Sequence, residues 1–352
     1  MNVDVYDLIN IYENEVSKNT KNKRKVNIFE RNKIQNIYNI KNIIESGNYK
    51  VGRYNIFSIN KPKYRIVMSL NISDKIINHY VTRNILIKKL DKYLDIRNVA
   101  TRKNMGYDYG IKLLLKYLNK FKNSKFYILK IDISKYFYSI DHIILKSLLI
   151  DKLDKNEYKI ISNIIDSTNN DYINKEVIKI KERLINIDKN RLDEIKSIPN
   201  IEKGKSLPIG NMTSQFLSIF YLYKLDYFII HNLKLKYMVK YMDDYIILSK
   251  DKKCLKHCLE VIKEKLKIEY KLNINDKKTF IIDSIHGFDF LGYNFKIINN
   301  KIIINIKGEN KKRKNNNIKK LNYLYKNNLI SYRRYFNSIN NYNNSYKYSK
   351  KH

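Results

Sequence analysis

The stretch KYMDDYIILSK, Lys240–Lys250, sets two adjacent aspartates between two runs of strand-forming residues. Apolar residues run into Tyr241 and resume at Tyr245, so Met242, Asp243 and Asp244 fall at a tight turn. Neighbouring carboxylates repel, and burying them is costly unless cations are present. An Asp-Asp pair in isolation more often marks a solvated turn, because aspartate is common in turns. Here MVKY and YIILS read as buried strands, which sets the turn on a core sheet rather than at a flexible rim.

A second acid ends another apolar strand. In FYILKIDIS, Phe126–Ser134, Asp132 interrupts a run in which an uncompensated charge costs several kcal/mol. Alone, it could be answered by a lysine in the core. Together with Asp243 and Asp244 it offers three carboxylates from two strands that can lie side by side. Hard divalent cations take oxygen ligands of this kind, and Mg²⁺ uses few carboxylates plus water and substrate phosphates. Two ions held this way suit phosphoryl transfer, activating a hydroxyl and stabilising a leaving pyrophosphate.

The composition points the same way. The 352 residues carry 70 Lys+Arg against 34 Asp+Glu, a formal net charge of +36. Abundant Lys, Asn, Ile and Tyr fit AT-rich coding, but that bias does not explain the deficit of acids. An excess this large implies a polyanionic partner, with nucleic acid ahead of a membrane surface. No apolar run approaches the ~18 residues of a spanning helix, and MNVDVYDLIN lacks a basic leader, so the reading is cytoplasmic with no membrane. Cys254 and Cys258 have no second ligand pair and read as structural or incidental thiols.

Along the chain, residues 1–50 read as an N-terminal helical extension. YNIFSI and KPKYRIVMSL read as two strands around a Lys-Pro turn, and residues 74–122 as helical with a break near NVATRKNMGYDYG. DHIILKSLLI starts a helix with Asp141 as its N-cap. Residues 174–203 read as an exposed helical insert or loop. The YMDD hairpin is followed by a helix over Leu255–Tyr270, the strands KTFIID and FDFLGYNFK, and a basic C-terminal region. The expected division is 1–50, 51–295 and 296–352, in an α+β fold.

These blocks, in this order, resemble the reverse transcriptases. The resemblance rests on YMDD in a hydrophobic hairpin, an Asp-ending strand followed by an aromatic pair and SIDH, and LPIG before a helix. It spans roughly residues 54–295. It implies a right-hand polymerase fold with fingers, a palm of antiparallel sheet and packed helices, and a small helical thumb in 296–352. It implies that Asp132 and Asp243 hold two Mg²⁺ ions, with Mn²⁺ as a substitute, that Asp244 is the less direct third carboxylate, and that the backbone of Ile133 faces a metal. Phe137 matches the aromatic position beneath the deoxyribose, whose bulk excludes a 2′-hydroxyl. Core packing is its plainer explanation. Lys63 and Arg65 in KPKYR match the residues that grip the triphosphate, and Lys278 in NINDKKTF matches a cation near the departing pyrophosphate. FLGY, Phe290, Leu291, Gly292 and Tyr293, resembles the primer-grip hairpin. Arg102 falls where related enzymes have an arginine before a Gly-containing turn.

One departure narrows the resemblance. Many reverse transcriptases carry glutamine where this chain has Ile209, before Gly210. The pattern of Ile209 with Ser214 and Gln215 resembles the enzymes of diversity-generating retroelements, which copy a template RNA with errors at adenines beside a small basic accessory protein. The partners implied are template RNA, an RNA/DNA duplex and dNTPs. Three readings compete: an antiviral defence reverse transcriptase of the abortive-infection type, a non-catalytic RNA-binding protein on a decayed polymerase fold, and RNA-templated RNA synthesis, which the bulk of Phe137 disfavours. The intact acids weigh against the second. The stretch after FLGY leaves room for a thumb and for no nuclease or integrase.

Overall fold

The computed structural model of the protein describes residues 2–344 and 347–349. Among these, nine strands form three antiparallel sheets among many helices. The strands are β1 (Asn55–Ile59), β2 (Arg65–Ser69), β3 (Tyr127–Asp132), β4 (Met238–Tyr241), β5 (Asp244–Ser249), β6 (Phe280–Asp283), β7 (Phe288–Phe290), β8 (Tyr293–Ile298) and β9 (Lys301–Ile306). The chain divides into two compact units. One comprises Met1–Thr101, Ile133–Phe228 and Ile262–Ile274, and the other Arg102–Asp132, Ile229–Val261 and Asn275–His352. No described helix is long and apolar enough to cross a membrane.

The unit containing β3 is built on a sheet of order β4-β5-β3-β6. β3 and β5 bury nearly every apolar side chain they carry, which is why they read as continuous hydrophobic runs. Their pairing runs from Tyr127 against Ser249 to Asp132 against Asp244, so both acids lie at one end of the ladder. β4 pairs with β5 through Tyr241 and Asp244, which leaves Met242 and Asp243 as a two-residue hairpin turn. Met242 takes a positive φ of 58°, a conformation that non-glycine residues hold only when their surroundings impose it. The helix Tyr107–Phe121 covers the sheet, with Tyr117 and Phe121 meeting the Tyr237 ring edge-on at 5.4 and 4.8 Å. Cys254 and Cys258 are free thiols on the helix that starts at Lys252.

Within the same unit, β7, β8 and β9 form a separate sheet. Phe290 pairs with Tyr293 across the turn Leu291–Gly292, where both residues have positive φ, 46° and 80°. The hairpin that the resemblance implied at FLGY is therefore present, and FDFLGYNFK, read as one strand, is two strands reversed at Leu291–Gly292. The expected boundary at 295/296 is not a structural one, because β8 passes through it and continues into the β9 return. Helices Gly308–Lys326 and Tyr332–Asn344 follow, joined by a stacked Tyr325–Tyr335 pair at 4.6 Å.

The other unit gathers the N-terminal helices, the β1–β2 hairpin and the helices from His142 to Tyr227. Asp141 caps as expected. Its carboxylate accepts from the N–H groups of Ile143 and Ile144 at 2.9 and 3.1 Å and pairs with Lys271 at 2.8 Å. The reading of 174–203 as exposed needs correction. Val177 and Ile195 on helices Asp171–Ile187 and Leu192–Lys196, with Ile198 and Ile201 after them, are buried in one cluster with Tyr54, Tyr64, Ile66, Met68 and Leu70 in and around the hairpin. The i, i+4 spacing of Ile173 and Val177 carries that face, and the interleaved lysines hide it from a reading by composition. Ile195→Ala is therefore expected to cost about 2–5 kcal/mol, as for a packed core position. Chemical denaturation tests this, and a loss near zero would return the segment to the surface.

Candidate active site

The three acids lie at one end of the β3–β5 ladder. Asp132 is 7% exposed, and its Oδ2 pairs with Lys278 Nζ at 2.9 Å. Its backbone is clamped as well: its N–H donates to Thr279 Oγ1 at 3.2 Å, and its carbonyl accepts from the Asn275 N–H at 2.7 Å. The turn Asn275–Thr279 thus fixes the strand end that presents the carboxylate. Asp244 is directly across the ladder, with Oδ1 at 4.0 Å from Lys130 Nζ and no hydrogen-bond partner of its own. Asp243 sits between them in sequence, in the hairpin turn.

Asp243 and Asp244 are half-buried by surface exposure, yet protein atoms crowd around both carboxylates. Burial raises the Asp243 carboxyl to about 7, with the negative charges of Asp244 and Asp132 adding to it. Burial also raises Asp244, opposed by Lys130. Two carboxylates raised in this way, one with an unanswered buried oxygen, form a donor set of hard oxygens suited to a divalent cation. Among the described residues no three Asp, Glu, His or Cys side chains are drawn together in ligating geometry. The three negative charges repel one another where they lie.

Residues 58–295 match the profile of the family described as Reverse transcriptase (RNA-dependent DNA polymerase), which is more than half of the chain. The chain belongs to the reverse transcriptase family. No curated protein matches it in sequence. Solved structures similar to it include apo telomerase from Candida tropicalis, at 14% identity and a TM-score of 0.46, covering 72% of this chain and 48% of that one. The same telomerase truncated from its C-terminal domain gives 13% and 0.48, covering 74% and 58%. Telomerase from Candida albicans in complex with a fragment of telomeric RNA gives 12% and 0.44, covering 74% and 47%. This chain thus spans roughly half the length of those telomerase chains.

The other positions singled out by resemblance to the reverse transcriptase family divide between the two units. With the acids in one unit are Lys278, Arg102 and the Phe290–Tyr293 hairpin. In the other, three segments are stitched together by backbone hydrogen bonds. The Ile209 carbonyl accepts from the Met68 N–H at 2.9 Å, which ties the LPIG loop to β2, the strand of Arg65. The Phe137 carbonyl accepts from the Leu207 N–H at 2.8 Å. Gly210 has φ +113°, and a side chain there would come within 2.9 Å of Val67, so the loop can lie this close to β2 only with glycine. Lys63, Arg65 and Gln215 are exposed, Phe137 and Ile209 are half-buried, and the buried Ile133 forms a bridge with Ile274.

Three contributors had no sequence signal. Thr279, one residue past the matched lysine, holds the Asp132 backbone. Glu194 accepts from the Tyr64 N–H at 2.5 Å and pairs with Arg191, whose guanidinium lies over the Tyr64 ring at 4.3 Å, so it anchors the Lys63–Arg65 turn from a segment far off in sequence. Lys240 is fully buried on β4, with its ammonium over the Tyr245 ring at 5.1 Å.

The pH dependence of metal-free stability follows from Asp243. A carboxyl raised in the folded state binds a proton more tightly there than when unfolded, so its charge lowers stability. That penalty is absent below about pH 4, grows as pH rises to about 7, and is complete above it. Asp243→Asn is expected to raise the melting temperature of the metal-free chain at pH 8 and to have little effect at pH 4. Thermal scans at the two pH values test this, and an equal shift at both would contradict it.

Proposed function

We propose that the chain is an RNA-directed DNA polymerase that makes cDNA from an RNA template. The observation that carries this reading is the pairing of Asp132 with Asp244 across one ladder, with Asp243 in the adjoining turn raised to about 7, inside a reverse transcriptase domain. Asp132 and Asp243 would hold two Mg²⁺ ions, or Mn²⁺ in their stead, with Asp244 less direct and the Ile133 backbone adjacent. Bound there, such ions supply activation of the primer 3′-hydroxyl and stabilisation of the leaving pyrophosphate. Lys278 pairs with Asp132 in the metal-free chain and is exposed. Once cations answer Asp132, its ammonium is free to balance charge on the departing pyrophosphate. Lys63 and Arg65 bind the triphosphate, a guanidinium fork matching phosphate oxygens. Phe137 rejects a ribose 2′-hydroxyl by bulk, and Gly210 with Gln215 completes the nucleotide pocket.

In this reading the β4-β5-β3-β6 sheet with the helix Tyr107–Phe121 on it is the palm, the fingers come from about residues 50–101 and 145–212, and the basic helices from Gly308 onward are the thumb. The FLGY hairpin grips the primer. The positive excess of the chain, +36, holds template RNA and the RNA/DNA duplex through backbone phosphates. In a primer-extension assay with Mg²⁺ and an RNA template, Asp243→Asn is expected to lower incorporation by about a hundredfold or more, as loss of a main electrostatic contributor does. Incorporation at the parental rate would overturn the reading.

The subtype rests on Ile209. Its aliphatic side chain makes no polar contact to a nascent base pair, so the base-pair check that an amide provides is absent. The reading is an error-prone enzyme of the diversity-generating retroelement kind, working in the cytoplasm with a small basic accessory protein. Ile209→Gln is expected to lower misincorporation opposite template adenines several-fold, read by sequencing of extension products. An unchanged error rate would leave the defence reading in its place.

A further inference from the structure

Lys130 lies two residues before Asp132 on β3, so both side chains leave the same face of the sheet. Its side chain is only 14% exposed, and its neighbours across the ladders are Ile246 and Phe280. An aliphatic residue would pack against them at lower cost, since a buried ammonium must be hydrogen-bonded and paired to be tolerated. Lys130 has both kinds of partner. Its Nζ donates to the backbone carbonyl of Asp289 at 3.0 Å and faces Asp244 Oδ1 at 4.0 Å.

Asp289 is the middle residue of β7, the first strand of the FLGY hairpin. That hairpin is secured from its other side too. The Gly292 carbonyl at its turn accepts from the Lys307 N–H at 3.1 Å and from Asn310 Nδ2 at 3.2 Å. The Asp289 carboxylate accepts from Asn294 Nδ2 at 2.8 Å and lies 3.5 Å from Lys307 Nζ. One ammonium therefore joins the acid-bearing sheet to the strand leading into the hairpin, while the following helix holds the hairpin's tip.

We infer that Lys130 is a positioning residue that fixes the distance between the Asp243–Asp244 turn and the Phe288–Tyr293 hairpin. The inference rests on the polymerase reading, in which that hairpin holds the primer 3′ end against the acids. A lysine suits the task because one ammonium donates a hydrogen bond to the Asp289 carbonyl while its charge faces the Asp244 carboxylate. Lys130 touches no reacting atom in this scheme. It acts through the placement of Asp244 and the hairpin, and an ångström of misplacement is worth about a hundredfold in rate.

The test uses the full chain with Lys130→Met, which keeps the unbranched apolar stem and removes the donors, and Lys130→Arg, which restores them. Single-turnover primer extension is normalised to active sites by burst amplitude. The expected result for Lys130→Met is a maximal rate reduced about tenfold to a hundredfold, with nucleotide and primer–template dissociation constants within twofold of the parent. Lys130→Arg should recover most of the rate. Hydrogen exchange supplies a readout that needs no activity: amides of Phe288–Phe295 should exchange faster in Lys130→Met, with the β3–β5 amides unchanged and Lys130→Arg like the parent. A parental rate, or a loss confined to active fraction or substrate affinity, would overturn the inference. If the parent chain incorporates nothing, the polymerase reading falls, and the exchange result alone decides: unchanged hairpin amides overturn the tie and faster ones uphold it.

Discussion

The structure turns on a repulsion. Three carboxylates, Asp132, Asp243 and Asp244, are brought to one end of a buried β ladder, where low polarisability makes like charges expensive. Packing requires nothing of the kind, since the apolar residues of β3 and β5 would pair as well without them. The fold answers the charge only in part. Lys278 takes Asp132, Lys130 stands off from Asp244, and Asp243 is left with a raised affinity for a proton. A chain with 70 basic side chains could have covered three acids with direct ion pairs. Leaving the balance open makes sense if cations from solution close it during the reaction.

The rest of the acid-bearing unit serves to hold that arrangement in register. The two-residue turn forces Met242 into a positive φ, the Asn275–Thr279 turn clamps the Asp132 backbone, and Lys130 carries the constraint on to the FLGY hairpin. Each is a short-range device: a strained turn, two hydrogen bonds, one ammonium. In the other unit the same economy recurs. Two backbone hydrogen bonds and a glycine that tolerates close approach join β2, Phe137 and the LPIG loop.

Much of this was legible in the sequence because strand and turn chemistry is local. The apolar runs flanking YMDD, the acid at the end of FYILKID and the N-cap at Asp141 all follow from neighbouring residues, and the structure bears out each of these local features, whereas FDFLGYNFK, which reads locally as one strand, turns at Leu291–Gly292. What escaped depended on partners distant in the chain. Residues 174–203 hide their buried face behind lysines because the hairpin they cover is more than a hundred residues earlier. Thr279, Glu194 and Lys130 act through contacts spanning 130 to 159 residues, and no pattern of spacing announces them. The 295/296 boundary coincides with the end of the family match yet cuts through β8, because the end of a motif is not the end of a strand.

The central claim is that the acid cluster is a cation site. Mn²⁺ binding followed by electron paramagnetic resonance tests it most directly. The chain would carry an RNA template, a primer lacking its 3′-hydroxyl and the matching nucleotide, compared with an Asp132→Asn/Asp243→Asn double variant of equal nucleic-acid affinity. The account predicts protein-dependent Mn²⁺ binding in the parent that the double variant loses. Equal Mn²⁺ binding by both chains would contradict it.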